Sequence, residues 1–443
     1  LLNRPLWYDE AALALNLKDS WNFFKPLNYN QAAPQLFLYC SKINYILFQT
    51  KTFSLRIIPF IASILSFFVF NFLINKFLIK QSSKYIALLL FCFSYPLCKY
   101  AQEFKQYSSD VLCFLLILAL YFLISKDNIS KKQKILLTSL TIFLMWFSFA
   151  SFFALAAVFL TLVIFNREKI KNLYLPIIFI FLNGMIIFIS DFSLQENVFL
   201  HEYWDFGFIN KGIKHFLELN FKNIYYIINT KFPLIFIFIS LFYTFKKEYK
   251  KPETLLFILP LLILLIFSYF NIYPYALRAV LFIAPIFIIL ISKFFDFINL
   301  NKILVLILAM IIIIPNCKNT IRNIYFDNYE SEDIITPLKT IKQYSNEKDV
   351  VIIAQGNNIL YEYYKDKFNL KNQVIVEKNV PNDVIKYIKH LDNLPKNKTY
   401  YWVLAHHKNK FFLLQKMQMW AKNKKDFLIY FDKRANTLIR FSL

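Results

Sequence analysis

The sequence predicts an all-α, multi-span membrane bundle that carries a soluble α/β domain at its C-terminal end. Three observations carry this expectation. Long apolar runs crowd the chain before position 317, basic residues recur in every second loop between them, and ordinary mixed sequence follows from about position 320. A membrane helix needs about 20 mainly apolar residues, fewer when its ends snorkel. Spans are read near 56–76, 85–98, 107–125, 135–148, 150–166, 173–190, 232–246, 254–271, 277–295 and 303–316, with only Ser148–Ser151 to divide the stretch 135–166. Pro59, Pro96, Pro260 and Pro285 lie in these runs. Membrane helices tolerate proline when neighbours satisfy the freed carbonyls.

Charge sets the orientation. The chain has 443 residues and a net charge of +23. Alternate loops carry Lys76, Lys80 and Lys84, then Lys126, Lys131, Lys132 and Lys134, then Arg167, Lys169 and Lys171. The series continues with Lys246, Lys247, Lys250 and Lys251, and ends with Lys293 and Lys302. Short basic loops stay on the cytoplasmic side. The charge is therefore topological, and no nucleic acid is needed as a partner. The expected location is the cell (inner or plasma) membrane. The other side then holds residues 1–54, 99–106, the loop 191–231 and the tail. On this reading the domains are a first extracytoplasmic loop, 1–54, a multi-span region, 55–319, and an extracytoplasmic α/β domain, 320–443. The chain opens Leu1-Leu2-Asn3 without Met, which predicts a further helix ahead of it.

In the tail, strands are expected at Asp349–Ala354, Val374–Val376 and Thr399–Ala405, and helices at Asn357–Lys365, Asn382–Leu391 and Asn409–Lys424. Phe427–Asp432 and Thr437–Phe441 read as a hairpin. The chain has 4 glycines and no Gly-rich phosphate loop, which argues against a nucleotide site. Its five cysteines, Cys40, Cys92, Cys98, Cys113 and Cys317, form no CxxC pair, so no disulfide framework is expected.

The residues able to do chemistry cluster in the loops assigned to the outer side. Leu6-Trp7-Tyr8-Asp9-Glu10-Ala11-Ala12 sets two carboxylates side by side. One of them suits a general base for an acceptor hydroxyl; the alternative is an acidic pair complementing a helix dipole. In Lys99–Asp110, a helical reading places Tyr100, Glu103 and Tyr107 on one face, a shelf for sugar or phosphate, with Lys105 as a cation beside it; a solvated turn is the alternative. Tyr273-Pro274-Tyr275-Ala276-Leu277-Arg278 puts a guanidinium at the edge of a long apolar run. That is costly without a partner and fits a phosphate, or the side chain snorkels to lipid head groups. Arg56 opens the first span, as an interface anchor or as a phosphate contact. His201-Glu202-Tyr203-Trp204-Asp205 is dense in polar and aromatic groups, suited to sugar faces or to the membrane interface. His406 and His407 alternate faces on a strand and make a poor metal pair. A divalent metal would need Asp9, Glu10 and Glu103 to converge.

These pieces resemble the polytopic GT-C glycosyltransferases that use polyprenyl-phosphate sugars. The likeness is to glycosyltransferase family 39, related to protein O-mannosyltransferases and aminoarabinose transferases. Leu6–Ala11 resembles the family's first acidic motif, and Asn30-Gln31-Ala32-Ala33-Pro34-Gln35-Leu36-Phe37-Leu38 its following Pro-containing stretch. Leu55-Arg56-Ile57-Ile58-Pro59 is similar to its Leu-Arg-x-x-Pro, and Tyr100–Tyr107 to its Ser-Gln-Glu-x-Arg-x-Tyr segment, with Lys105 for Arg. Gln31 stands where many members have His. The resemblance covers residues 1 to about 316. It implies an inverting transfer on the outer side, with Asp9, beside Glu10, as base and Arg278 and Lys105 at the leaving phosphate. Gln31, Arg56, Tyr100, Glu103, Tyr107 and Tyr275 complete the expected substrate contacts. The expected partners are a polyprenyl-phosphate sugar, a lipid, glycan or protein acceptor, and membrane lipids. A transporter or flippase of lipid-linked saccharides would instead show charges deep in the spans and internal repeats. A polysaccharide polymerase or ligase would use large outer loops without the early acidic pair.

Overall fold

The computed structural model describes residues 4–18, 27–48, 52–125, 129–195, 198–228, 233–248, 251–297, 301–322, 324, 332–377, 391–405, 419–433 and 436–443. Two compact units divide the chain: Leu1–Ser20 together with Asp327–Leu443, and Trp21–Phe326. Helix α1 (Tyr8–Lys18) belongs to the former.

Among the described residues, the regular elements of the Trp21–Phe326 unit are helices. It opens with α2 (Gln35–Leu47). Each stretch expected to span then coincides with a helix or a pair of helices. The run 56–76 is α3 (Thr52–Leu55) with α4 (Ile57–Phe77), and 85–98 is α5 (Gln81–Cys92) with α6 (Tyr95–Tyr100). Next come α7 (Tyr107–Ile124), α8 (Lys131–Phe147) and α9 (Ser151–Phe165). A short α10 (Arg167–Asn172) leads into α11 (Tyr174–Gln195), and α12 (Val198–Trp204) and α13 (Ile213–Ile228) occupy the long loop expected at 191–231. The last four are α14 (Pro233–Glu248), α15 (Pro252–Tyr269), α16 (Ala284–Phe297), entered through a 3-10 turn at Leu277–Ile283, and α17 (Lys302–Ile321). Among the described residues five helical stretches are long and apolar enough to cross a membrane: Thr52–Phe77, Tyr107–Ile124, Pro252–Tyr269, Leu277–Phe297 and Lys302–Ile321. Ser151–Phe165, Tyr174–Ser190 and Leu234–Thr244 are shorter apolar helices.

Local chemistry sets the helix ends. Ser130 and Gln133 form a capping box at the start of α8, with Gln133 N donating to Ser130 Oγ at 3.3 Å and Ser130 N to Gln133 Oε1 at 2.9 Å. Asn301 caps α17 through Leu304 N at 2.7 Å. The run 85–98 is two helices because Ser94 is extended and Pro96 sits in the first turn of α6. The carbonyl freed at Phe93 accepts from Thr320 Oγ1 at 2.6 Å, and Ser94 Oγ donates to Ile227 O at 2.8 Å, so the break leaves those polar groups satisfied. The division of 135–166 falls at Ser148, also extended, whose hydroxyl donates to Asp110 at 2.6 Å.

The core of this unit lies along α7 and the Leu277–Phe297 stretch. Phe114, Leu115, Val280, Ile283 and Ile288 are at most 1% exposed. Large apolar side chains also face outward, including Phe68, Phe181 and Phe242. In water such surface promotes association; in a bilayer it is matched by acyl chains.

The other unit is a five-stranded sheet with order β2-β1-β3-β5-β4. β1 (Val350–Ile353) pairs in parallel with β2 (Gln373–Val376) and with β3 (Thr399–Ala405). β4 (Lys425–Lys433) and β5 (Asn436–Ser442) are the expected hairpin, and β5 also pairs antiparallel with β3. All four residues of β1 are buried, as a strand with parallel neighbours on both sides requires. α18 (Ile335–Tyr344) and α19 (Asn358–Phe368) complete the described helices of the tail, and α1 packs on α19. The helices expected at Asn382–Leu391 and Asn409–Lys424 fall largely outside the described residues.

Candidate active site

The site is built where α6 turns into α7. Residues 101–106 form a turn between two helices rather than one continuous helix, so the expected single face for Tyr100, Glu103 and Tyr107 does not form. The turn brings the side chains together by another route. The Tyr100 and Tyr107 rings meet edge to face at 4.8 Å between centroids. Glu103 is 2% exposed, with Lys99 Nζ 4.0 Å from its Oε1.

The turn docks on the segment ahead of α2. Lys105 Nζ donates to Gln31 Oε1 at 2.6 Å, and Gln106 Nε2 to Ala32 O at 3.3 Å. Phe104 stacks on Phe37 at 5.8 Å. Tyr29 and Asn30 take φ of 60° and 52° to curl the chain there; asparagine is among the residues that tolerate this region best. Lys105 and Gln31, both buried, thus meet as two of the expected substrate contacts. Arg56, at the junction of α3 and α4, is 1% exposed, so its guanidinium lies inside the protein.

Arg278 stands just inside the 3-10 turn that follows α15. Its guanidinium rests over the rings of Tyr203 and Trp204, 5.9 and 5.5 Å from their centroids, and donates to Tyr203 Oη at 3.2 Å. The chain before it is tied down from the stretch expected as a loop. Tyr275 N donates to Gly207 O at 2.8 Å, and Tyr275 Oη to Asn220 Oδ1 at 2.8 Å. Gly207 is needed for close approach: a Cβ there would lie 2.9 Å from Ala276 Cβ and 3.1 Å from Pro274 Cβ.

Tyr100 is buried at the end of α6. Burial pushes its phenol well above the ordinary tyrosine range; the neighbouring Tyr226 and Glu103 push it further, while Arg278 opposes them. Tyr226 Oη donates to Tyr100 Oη at 3.2 Å. The Tyr100 phenol thus has Tyr107 against its ring and the Tyr226 hydroxyl on its oxygen. Burial likewise raises Tyr275. Neutral phenols beside a carboxylate and a guanidinium suit a ligand that carries both hydroxyls and an anionic group.

Asp9 and Glu10 belong to the unit containing the sheet. They form the first turn of α1, where Trp7 N donates to Glu10 Oε2 at 3.3 Å, so the helix-terminal role weighed for this pair is filled by Glu10. Leu6 N donates to Tyr364 Oη at 2.9 Å and Tyr8 N to Glu332 Oε2 at 2.8 Å, which tie the motif to that unit. Burial, then Asp9 and Glu332, raise the Tyr8 phenol. Among the described residues no group of three or more His, Cys, Asp or Glu side chains could hold a metal ion.

The sequence reading missed Asn220, Asn223, Gly207 and Tyr226. The available signal was a pair of asparagines in the otherwise amphipathic α13, with Asn223 1% exposed.

No protein-family model and no curated protein sequence matches this chain. Solved structures do. ArnT from Cupriavidus metallidurans in its apo state aligns over 99% of this chain and 94% of its own, at 12% identity and a TM-score of 0.57. The same protein bound to undecaprenyl phosphate aligns over the same shares at 11% identity and a TM-score of 0.58. The chain has the GT-C glycosyltransferase fold. An Archaeoglobus fulgidus oligosaccharyltransferase, in complex with Zn and sulfate, shares this GT-C architecture over 99% of this chain and 67% of its own, at 14% identity and a TM-score of 0.55.

Proposed function

We propose that the protein is an integral membrane glycosyltransferase that moves a sugar from a polyprenyl-phosphate donor to an acceptor on the extracytoplasmic side, with inversion. The observation that carries this reading is the GT-C fold, in which one turn holds Tyr100 against Tyr107 and buries Glu103, and Arg278 rests on Tyr203 and Trp204. A structural neighbour bound to undecaprenyl phosphate supports a lipid-phosphate donor. Such a donor arrives with its sugar already across the membrane, in keeping with a chain that has no Gly-rich phosphate loop.

In this reaction Asp9, with Glu10 beside it, takes the proton from the acceptor hydroxyl. The oxygen attacks the anomeric carbon from the face opposite the phosphate. The bond from that carbon to the phosphate oxygen breaks, and polyprenyl phosphate leaves with the electron pair. Arg278 and Lys105 stabilise the charge that develops on it. Arg56, Glu103, Tyr100, Tyr107, Tyr275 and Gln31 frame the sugar and head group, and the C-terminal sheet unit stands on the same outer side. The acceptor is a lipid, a glycan or a protein.

The test is transfer of label from a radiolabelled polyprenyl-phosphate sugar by the full chain in vesicles. Asp9→Asn should lower the rate about 10²–10⁴-fold with unchanged expression. Near-normal transfer by that variant refutes the base, and movement of label across the vesicle without bond cleavage identifies a transporter instead.

A further inference from the structure

The turn that delivers Arg278 is strained. Leu277, the residue before it, has a φ of 46°, a left-handed conformation that branched side chains rarely adopt. Ala279 N donates to Ala276 O at 3.1 Å across it, and one amide ties down the chain that enters it. Asn223 Nδ2 donates to Tyr275 O at 3.0 Å, and Asn223 Oδ1 accepts from Leu277 N at 2.7 Å. Both halves of the side chain are thus spent on the two peptide groups that flank Ala276, immediately ahead of the strained residue. Asn223 is 1% exposed, so water cannot substitute for it. Asn220, three residues earlier on α13, takes the Tyr275 hydroxyl at 2.8 Å and adds a second tie from the same helix.

We propose that Asn223 is a positioning residue for the lipid-phosphate donor: its amide holds the Tyr275–Leu277 bend in the one conformation that presents Arg278 to the phosphate. The inference rests on the reading of Arg278 given above. It adds that α13, through Asn223, supports the donor site without touching the donor. Holding the peptide that enters Leu277 fixes the frame from which Leu277 and Arg278 leave the chain. Loss of the amide frees the bend to relax, and the guanidinium then samples positions away from the phosphate. A misplacement of about 1 Å at such a contact is enough for a large loss.

The experiment measures equilibrium binding of radiolabelled polyprenyl phosphate to the purified full chain, with a thermal melt of each variant. Arg278→Ala should weaken binding about 10- to 100-fold, and Asn223→Ala about tenfold. The decisive variant is Asn223→Ala with Arg278→Ala. If Asn223 acts through Arg278, the pair binds no more weakly than Arg278→Ala alone. Leu277→Gly added to Asn223→Ala should recover part of the loss, because glycine adopts this φ without strain. Should Asn223→Ala fail to fold, Asn223→Asp, which keeps the acceptor and loses the donor, carries the same comparison in the same direction. Equal, additive losses in both backgrounds overturn the proposal in favour of a packing role. Normal binding by the Asn223 variants beside a weak Arg278→Ala overturns it and leaves the donor reading standing. Normal binding by Arg278→Ala removes the donor reading and this inference with it.

Discussion

Arg278 and Lys293 stand at the two ends of one helical stretch, Leu277–Phe297, and the protein treats the two cations in opposite ways. Lys293 is 4% exposed. It is ion-paired to Glu248, which also accepts from Lys251 Nζ at 2.8 Å, and it packs over the rings of Phe257 and Phe297 at 5.0 and 5.6 Å. Arg278 is half-exposed and rests on the faces of Tyr203 and Trp204. A charge taken out of water must be neutralised on the spot, and its field is then used up locally. A cation laid on aromatic faces near the surface is held by the rings without being taken fully out of water. The same stretch therefore carries a structural charge at one end and a candidate functional one at the other.

The largest expected effect is at the buried end. Lys293→Ala removes one of the two lysines on Glu248, with Lys251 still in place, and should cost about 2–3 kcal/mol of stability, read as a lowered melting temperature in detergent, with polyprenyl-phosphate binding by the folded fraction unchanged. Altered binding there would break the comparison. Arg278→Ala should do the reverse. It loses about 2 kcal/mol of donor binding, the scale of a charged hydrogen bond, and at most about 1 kcal/mol of stability from its ring contacts. Gly207→Ala comes next. The added methyl meets Ala276 and Pro274, and overpacking of about 1–3 kcal/mol should loosen the bend, lowering both melting temperature and donor affinity. A loss confined to stability would show that Gly207 serves packing alone.

The smallest effect is expected at an exposed pair in the sheet unit. Lys424 Nζ lies 3.0 Å from Asp392 and holds that carboxyl below the usual aspartate range, with Trp420 Nε1 also donating to it. A carboxyl whose folded value is depressed stabilises the fold at pH above its unfolded value, and the gain is lost as pH falls through the folded value. Asp392→Ala should therefore change stability by less than about 1 kcal/mol at neutral pH and by nothing in acid. A larger acid-sensitive loss would show that exposed ion pairs in this protein are stronger than the comparison assumes.

Several parts of this arrangement were legible in the residues themselves. The apolar runs mark the helices because burying backbone in lipid demands internal hydrogen bonding, which leaves helix as the only local answer. The break at Ser148 and the hairpin at Phe427–Phe441 follow from local chemistry in the same way. Tyr100, Glu103 and Tyr107 were read as one group for a reason that did not hold. Helical spacing suggested a shared face, whereas the turn at 101–106 gathers them. Asn223 was invisible because its importance lies in the carbonyl of Tyr275 and the amide of Leu277, which belong to every sequence alike.

The residues by themselves set the positions of the apolar helices, the strands of the sheet unit and the stock of charged and aromatic groups near the helix ends, since each depends on neighbours a few positions away. What only the tertiary structure decided is which of those groups meet. Lys105 finds Gln31, Tyr226 finds Tyr100, and an amide from α13 ties a bend far along the chain. Those pairings depend on how helices pack, and packing is a property of whole faces that no local pattern specifies.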